Sequence, residues 1–299
     1  MPFRGIKYIA LENFKPLILS MAVIFVSLLL VGSFHQPLFS QEGRGKLKVV
    51  VTILPQAEFV EKVGGNMVEV IVMVPPGASP HTYEPTPRQL IEVSEADIYF
   101  QVGSGIDFER SFMRKIIEVN RRMLVVNCSE GIKIVDGDPH VWLSPRNAEV
   151  MVRNIYKGFA ALDPENEEYY RRNMEVYVEE LRKLDEEIRN ILRNLSVRCF
   201  MVYHPAWRYF AREYNLTQIP VEKEGKEPTV QGMIALVNQA RRLGVKAIFA
   251  SPEFDKKKAE AIAESFGGRI IFVDPLAKDY VENLREVAFK IAWSLSGNE

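Results

Sequence analysis

An excess of charge of one sign is missing from this chain. Its 38 lysines and arginines nearly cancel 39 aspartates and glutamates, for a net charge of −1. No basic block occurs beyond the extreme N-terminus, which argues against a nucleic-acid partner. No short-period repeat and no low-complexity tract is visible, so a repeat array and a disordered tract are both set aside. Cysteine is scarce, with only Cys128 and Cys199. They fall on opposite sides of a long helical stretch, each beside or within an apolar strand, and read as two separate buried thiols rather than a bridge. Histidine is scarce as well, at four residues, and no HExxH sequence is present. The remainder, 47% hydrophobic and 26% charged, is ordinary for a globular protein of one or two domains.

The first 45 residues stand apart. Arg4, Lys7 and Lys15 precede an uncharged apolar run at 17–34. That run reads as an export signal or an uncleaved N-terminal anchor, since 18 residues are long for a signal core and just enough to span a bilayer. No clear small-x-small cleavage site follows it, and no cysteine is placed for a lipoprotein linkage. The body from about Lys46 onward is therefore expected outside the cytoplasm, in the periplasm or at the cell surface, after a short polar spacer at 41–45.

The body is organised around 164–195. Tyr170, Met174, Tyr177, Leu181, Leu184, Ile188, Ile191 and Leu195 recur at steps of four and three, which is one apolar stripe on a helix. Asp163 is placed to cap it and Pro164 suits its first position. Glu167–Arg171, Glu168–Arg172, Glu179–Lys183 and Asp185–Arg189 are spaced as i,i+4 pairs on the outer face. At 1.5 Å per residue the rod is about 48 Å long. Strand and helix patterns alternate on both sides of it. Strands are expected at 48–54, 68–74, 98–102 and 123–127 before it, and at 199–203, 216–221, 247–250 and 269–273 after it. Such alternation predicts an α/β protein of two parallel-sheet lobes, with the long helix as a strut joining them rather than a coiled coil. The expected divisions are 1–45 for the signal or anchor and spacer, 46–162 for the N-terminal lobe, 163–195 for the linking helix and 196–299 for the C-terminal lobe.

His35 lies just past the apolar run and has no evident role. The other three histidines, His81, His140 and His204, each sit in a proline-containing loop between a strand and a helix, and Asp274 occupies the same kind of place before Pro275. Ligands of open α/β sheets bind at the carboxyl ends of strands. Taken singly, a histidine beside proline is more often a hydrogen-bonded loop residue, and Asp274 could simply form a turn. Jointly, four metal-capable groups at that level, two from each lobe, describe one metal site in the cleft between lobes.

The segments GASPHTYEPTPRQL, DPHVWLSP, YHPAWRYFAREYNL, EGKEPT, ASPEF and VDPLA occur in an order that resembles the metal-binding solute receptors of zinc and manganese ABC importers. The resemblance covers nearly all of 46–299. It implies two α/β lobes joined by one long helix, one divalent ion between them, and His81, His140, His204 and Asp274 as its ligands. It also implies a membrane permease with its ATPase as partner, and no enzymatic activity. Manganese-selective relatives tend to carry a carboxylate in place of the third histidine, whereas this chain keeps His204. Three imidazoles and one carboxylate suit zinc, the harder oxygen donors suiting manganese. The histidine- and aspartate-rich loop of many zinc receptors is missing, which removes no primary ligand.

Zinc is thus the expected cargo, manganese or iron the alternative, and the chain is expected to act as a monomer. A zinc hydrolase is the competing class, because three histidines with an open fourth position would activate water. Against it, Asp274 can fill that position, and Pro80, Pro85 and Pro87 keep Glu84 off a shared helix face with His81. Glu84 and Asp138 read instead as loop formers or acceptors for imidazole N–H groups. An adhesin on the same fold is compatible with every residue.

Overall fold

Val49, Val50 and Val51 are fully buried, the unbroken apolar run expected of a central strand covered on both faces. They belong to β1 (Leu47–Val51), which lies inside a parallel sheet of order β2-β1-β3-β4, with β2 at Val68–Val72, β3 at Ile98–Gln101 and β4 at Leu124–Asn127. A second parallel sheet repeats the plan in the order β6-β5-β7-β8, from β5 (Cys199–Val202), β6 (Thr217–Pro220), β7 (Ala247–Ala250) and β8 (Arg269–Phe272). The computed structural model describes residues 45–223, 226–254 and 256–296. The N-terminal apolar run and His35 lie outside the described residues. Among the described residues no helix is long and apolar enough to cross a membrane.

Helices of the first lobe are α1 (Leu54–Gly64), α2 (Pro87–Ser94), α3 (Asp107–Val119) and α4 (Pro145–Leu162), and the long helix is α5 (Glu167–Ile191). The second lobe has α6 (Arg208–Glu213), α7 (Val230–Leu243), α8 (Lys256–Ser265) and α9 (Tyr280–Leu295). The cap-proline pairs start helices where expected. Thr86 Oγ1 accepts from the Gln89 N–H while Gln89 Oε1 accepts from the Thr86 N–H, a closed capping box ahead of Pro87. Ser144 Oγ accepts from the Asn147 N–H ahead of Pro145. Gly158 lets α4 lie flat on the sheet, for a Cβ there would stand 2.6 Å from Phe100 Cε1.

The long helix departs from its expected length. Pro164–Asn166 form a 3₁₀ turn, the α-helix begins at Glu167, and it ends at Ile191 rather than near Leu195. Asp163 does not cap it. Its carboxylate turns inward and accepts from Tyr170 Oη and Asn166 Nδ2, each at 2.8 Å. A buried phenol competes better for this acceptor than an end N–H that solvent can satisfy. Of the outer pairs, Glu168–Arg172 and Asp185–Arg189 form, and Glu167 accepts instead from Tyr156 Oη.

Nor is the strut a bare spacer between two separate cores. Tyr170, Met174, Tyr177, Val178, Leu181, Leu184 and Ile188 are buried in one continuous apolar cluster that also holds Val49 and Phe100 of the first sheet and Phe200 and Phe249 of the second. Each such side chain contributes roughly 1.5–3 kcal/mol by leaving water. Polar contacts fasten the helix to both lobes. Tyr177 Oη donates to Glu58 of α1 and Arg182 pairs with Glu149 of α4, while on the other side Tyr214 Oη donates to Asp185 and Arg285 of α9 pairs with Glu187. Cys128 is buried and Cys199 half-buried, and both are free thiols.

Candidate metal centre

The strand order places β1 between β2 and β3, and β5 between β6 and β7, so each sheet has a point where successive connections leave in opposite directions. Crevices open there beyond the carboxyl ends of the strands. The loop after β2 carries His81, the loop after β4 carries His140, and the turn after β5 carries His204. The three rings meet. Their centroids are 5.0–5.6 Å apart, and one nitrogen from each lies within 4.8 Å of the other two.

Each ring is held from behind by a carboxylate. His81 Nδ1 is 2.8 Å from Asp107 Oδ2, His140 Nδ1 is 2.7 Å from Asp138 Oδ1, and His204 Nδ1 is 3.1 Å from Glu222 Oε2. An ionised carboxylate only accepts, so in each pair Nδ1–H donates, and in the neutral ring Nε2 keeps its lone pair. The lone pairs therefore face inward, and His140 Nε2 and His204 Nε2 stand 3.4 Å apart. Two bare acceptors at that distance repel one another, and a cation between them removes the repulsion. Second-sphere carboxylates of this kind fix the tautomer and make imidazole a better donor.

Burial differs around the ring of donors. The His140 side chain is 6% exposed and that of His81 26%. Burial pushes the His140 imidazolium below its ordinary pKa, and the hydrogen bond and charge of Asp138 oppose this. Asp138 is in turn tied to the second lobe, with Arg208 Nε 3.2 Å from its Oδ2 and Tyr209 Oη donating to its carbonyl. Apolar rings wall the site, Phe254 stacking on His204 and Trp142 lying 5.3 Å from His140. The space enclosed is about 10 Å³, on the scale of a single water-sized sphere. It accommodates an ion, not an organic molecule.

Asp274 takes no part in the three-nitrogen cluster. It follows β8 as expected, but its Oδ1 accepts from the Leu276 N–H at 2.7 Å, and its carboxyl pKa is raised by burial. It lines a neighbouring cavity of about 500 Å³ that also contains Glu253. Glu84 is exposed, and the His81 ring turns to Asp107 instead. Asp138 behaves as expected. Asp107 and Glu222 were not singled out from the sequence, although both follow strands, β3 and β6, at the level that selected the histidines.

A profile of the family described as zinc-uptake complex component A, periplasmic (ZnuA), matches residues 49–293. The chain belongs to that family. Its members are metal-binding receptors of ABC metal importers, not enzymes, and work in the periplasm or at the cell surface. Their partners are accordingly an importer's permease and ATPase. Among relatives, the high-affinity zinc uptake system protein ZnuA of Bacillus subtilis is 29% identical over 252 residues, covering 77% of this chain and 79% of that protein. The manganese ABC transporter substrate-binding lipoprotein PsaA of Streptococcus mitis is 28% identical over 281 residues, covering 86% and 89%. A crystal structure of a ZnuA superposes with a TM-score of 0.81 at 40% identity, covering 83% of this chain and 99% of that one. The two-lobed α/β plan expected from the sequence is the plan of this family.

Proposed function

We propose that this receptor captures one zinc ion with the Nε2 atoms of His81, His140 and His204, and that Asp274 contributes the carboxylate once the ion is in place. The observation that carries the reading is the convergence of three imidazole nitrogens, each backed by its own carboxylate. Zinc–nitrogen bonds of about 2.05 Å in tetrahedral geometry put the nitrogens about 3.3 Å apart, close to the 3.4 Å between His140 and His204. Three nitrogen donors favour zinc, and manganese would want more oxygen. With 46–162 and 196–299 taken as the lobes and 163–195 as the joining helix, the ion bridges the two lobes. The chain works as a monomer, exported by 17–34 as a signal or as a retained membrane anchor. It hands zinc to its importer.

Elemental analysis of full-length protein equilibrated with equal zinc and manganese tests this. One zinc per chain is expected, and its loss in a variant with all three histidines changed to alanine. Stoichiometric manganese would overturn the choice of ion, and zinc retained by the triple variant would overturn the site.

A further inference from the structure

Two cavities adjoin at this end of the molecule, the small one between the imidazoles and the 500 Å³ one beside it. Their linings share two residues, Glu253 and Leu276. Only one of these is polar. The larger cavity is acidic, lined by Glu253, Asp274, Asp279, Glu282 and Glu286 against a single cation, Lys278, which is itself paired with Glu61. Glu282 and Glu286 are paired with Arg285 and Lys290, which leaves Glu253, Asp274 and Asp279 to attract an entering cation, between low-dielectric walls such as Ile53, Leu54 and Val74 that strengthen the field.

The geometry points to Glu253 as the carboxylate that receives the ion at the junction of the two cavities and passes it to the imidazoles. This rests on the three-histidine reading above. Glu253 sits in the turn after β7, between Pro252 and Phe254, and Phe254 stacks on the His204 ring. Burial raises the Glu253 carboxyl pKa, the nearby charge of Asp274 adding to this and His204 opposing it. Asp274 lines the large cavity alone, and the histidines line the small one alone. An ion moving from one to the other exchanges waters for nitrogens at this point. A carboxylate there can hold it by a single oxygen while the first imidazole bond forms. Glu253 acts as a positioning residue on the way in, distinct from the resident donors.

Stopped-flow mixing of full-length protein with zinc and a competing fluorescent chelator, at several salt concentrations, tests the role. Glu253→Gln keeps the shape and removes the charge. It should slow zinc association about threefold or more and flatten its dependence on ionic strength. Glu253→Asp should keep the salt dependence, and Glu69→Gln, on β2 far from both cavities, should behave as the unaltered protein. Wild-type association by Glu253→Gln would overturn the proposal. So would slowing with an unchanged salt dependence, the mark of a merely structural disturbance. Loss of zinc in His140→Ala together with wild-type kinetics in Glu253→Gln sinks only the role of Glu253. Zinc kept by His140→Ala sinks the underlying site.

Discussion

Trp142 donates its indole N–H to the carbonyl oxygen of Pro275 at 2.7 Å. The residue two places after His140 in the first lobe is thereby bonded to the residue next to Asp274 in the second. Tyr280 Oη closes the clamp by donating to the Trp142 carbonyl at 2.6 Å. Both Trp142 and Tyr280 are buried, so neither bond has water as a substitute. Trp142→Phe keeps an aromatic ring but orphans the Pro275 carbonyl. Loss of about 1–3 kcal/mol from that acceptor is expected, with a further packing loss from the smaller ring. Urea unfolding of the metal-free protein reads it, and a midpoint unchanged from the parent would show that the clamp contributes nothing.

The carboxylates behind the histidines offer a second prediction. Asp138→Asn leaves the side chain's shape but weakens the hold on His140 Nδ1, now 2.7 Å from Oδ1. Zinc affinity should fall about 10- to 100-fold with the fold intact. Competition with a chelator of known affinity measures it, and an unchanged affinity would remove Asp138 from the site's design.

Protons compete with metal, and the sign follows from His140. Burial lowers its folded pKa, with Asp138 opposing, whereas the unfolded value is about 6.5. The unfolded chain therefore takes up this proton first as pH falls. Metal-free protein should lose stability progressively as pH drops through about 6.5 toward the folded pKa. Zinc binding to three imidazoles also requires them neutral. A thousandfold excess of free zinc over Kd stabilises by about 4 kcal/mol. Thermal melts with zinc and with a chelator should differ clearly at pH 7.5 and much less at pH 5. An equal zinc shift at both pH values would mean that imidazoles are not the main donors.

A shared core limits how far the lobes can part. The buried face of α5 joins side chains of both sheets in one cluster, and α5 contains neither glycine nor proline to bend it. Opening the cleft widely would expose that core. X-ray scattering of metal-free and zinc-loaded protein should therefore give nearly superimposable profiles. A radius of gyration differing by several ångströms, as in hinge closure, would refute this.

Much of this protein was legible in order along the chain. Cap-proline pairs such as Thr86-Pro87 and Ser144-Pro145, and apolar runs such as 49–51, act within a few residues of themselves. They placed nearly every strand and helix to within a turn. The end of the long helix was read less well, because the apolar stripe continues past Ile191 to Leu195 although the helix stops at Ile191. Leu195 still packs against the core. Periodicity reports burial, which a turn can also supply.

By itself, the amino-acid sequence determined the alternation of strand and helix, the single long helix and the arrival of three histidines at strand ends. Each of these depends on local pattern and on the rule that parallel strands present their exits on one edge. Tertiary structure alone decided which carboxylate backs His81 and His204, since Asp107 is 26 residues from His81 and Glu222 is 18 from His204. It also set Asp274 beside the histidine cluster and Glu253 at its mouth. These placements depend on how two lobes pack across one helix, and a displacement of an ångström there changes which oxygen meets which nitrogen, a distance that no local pattern encodes.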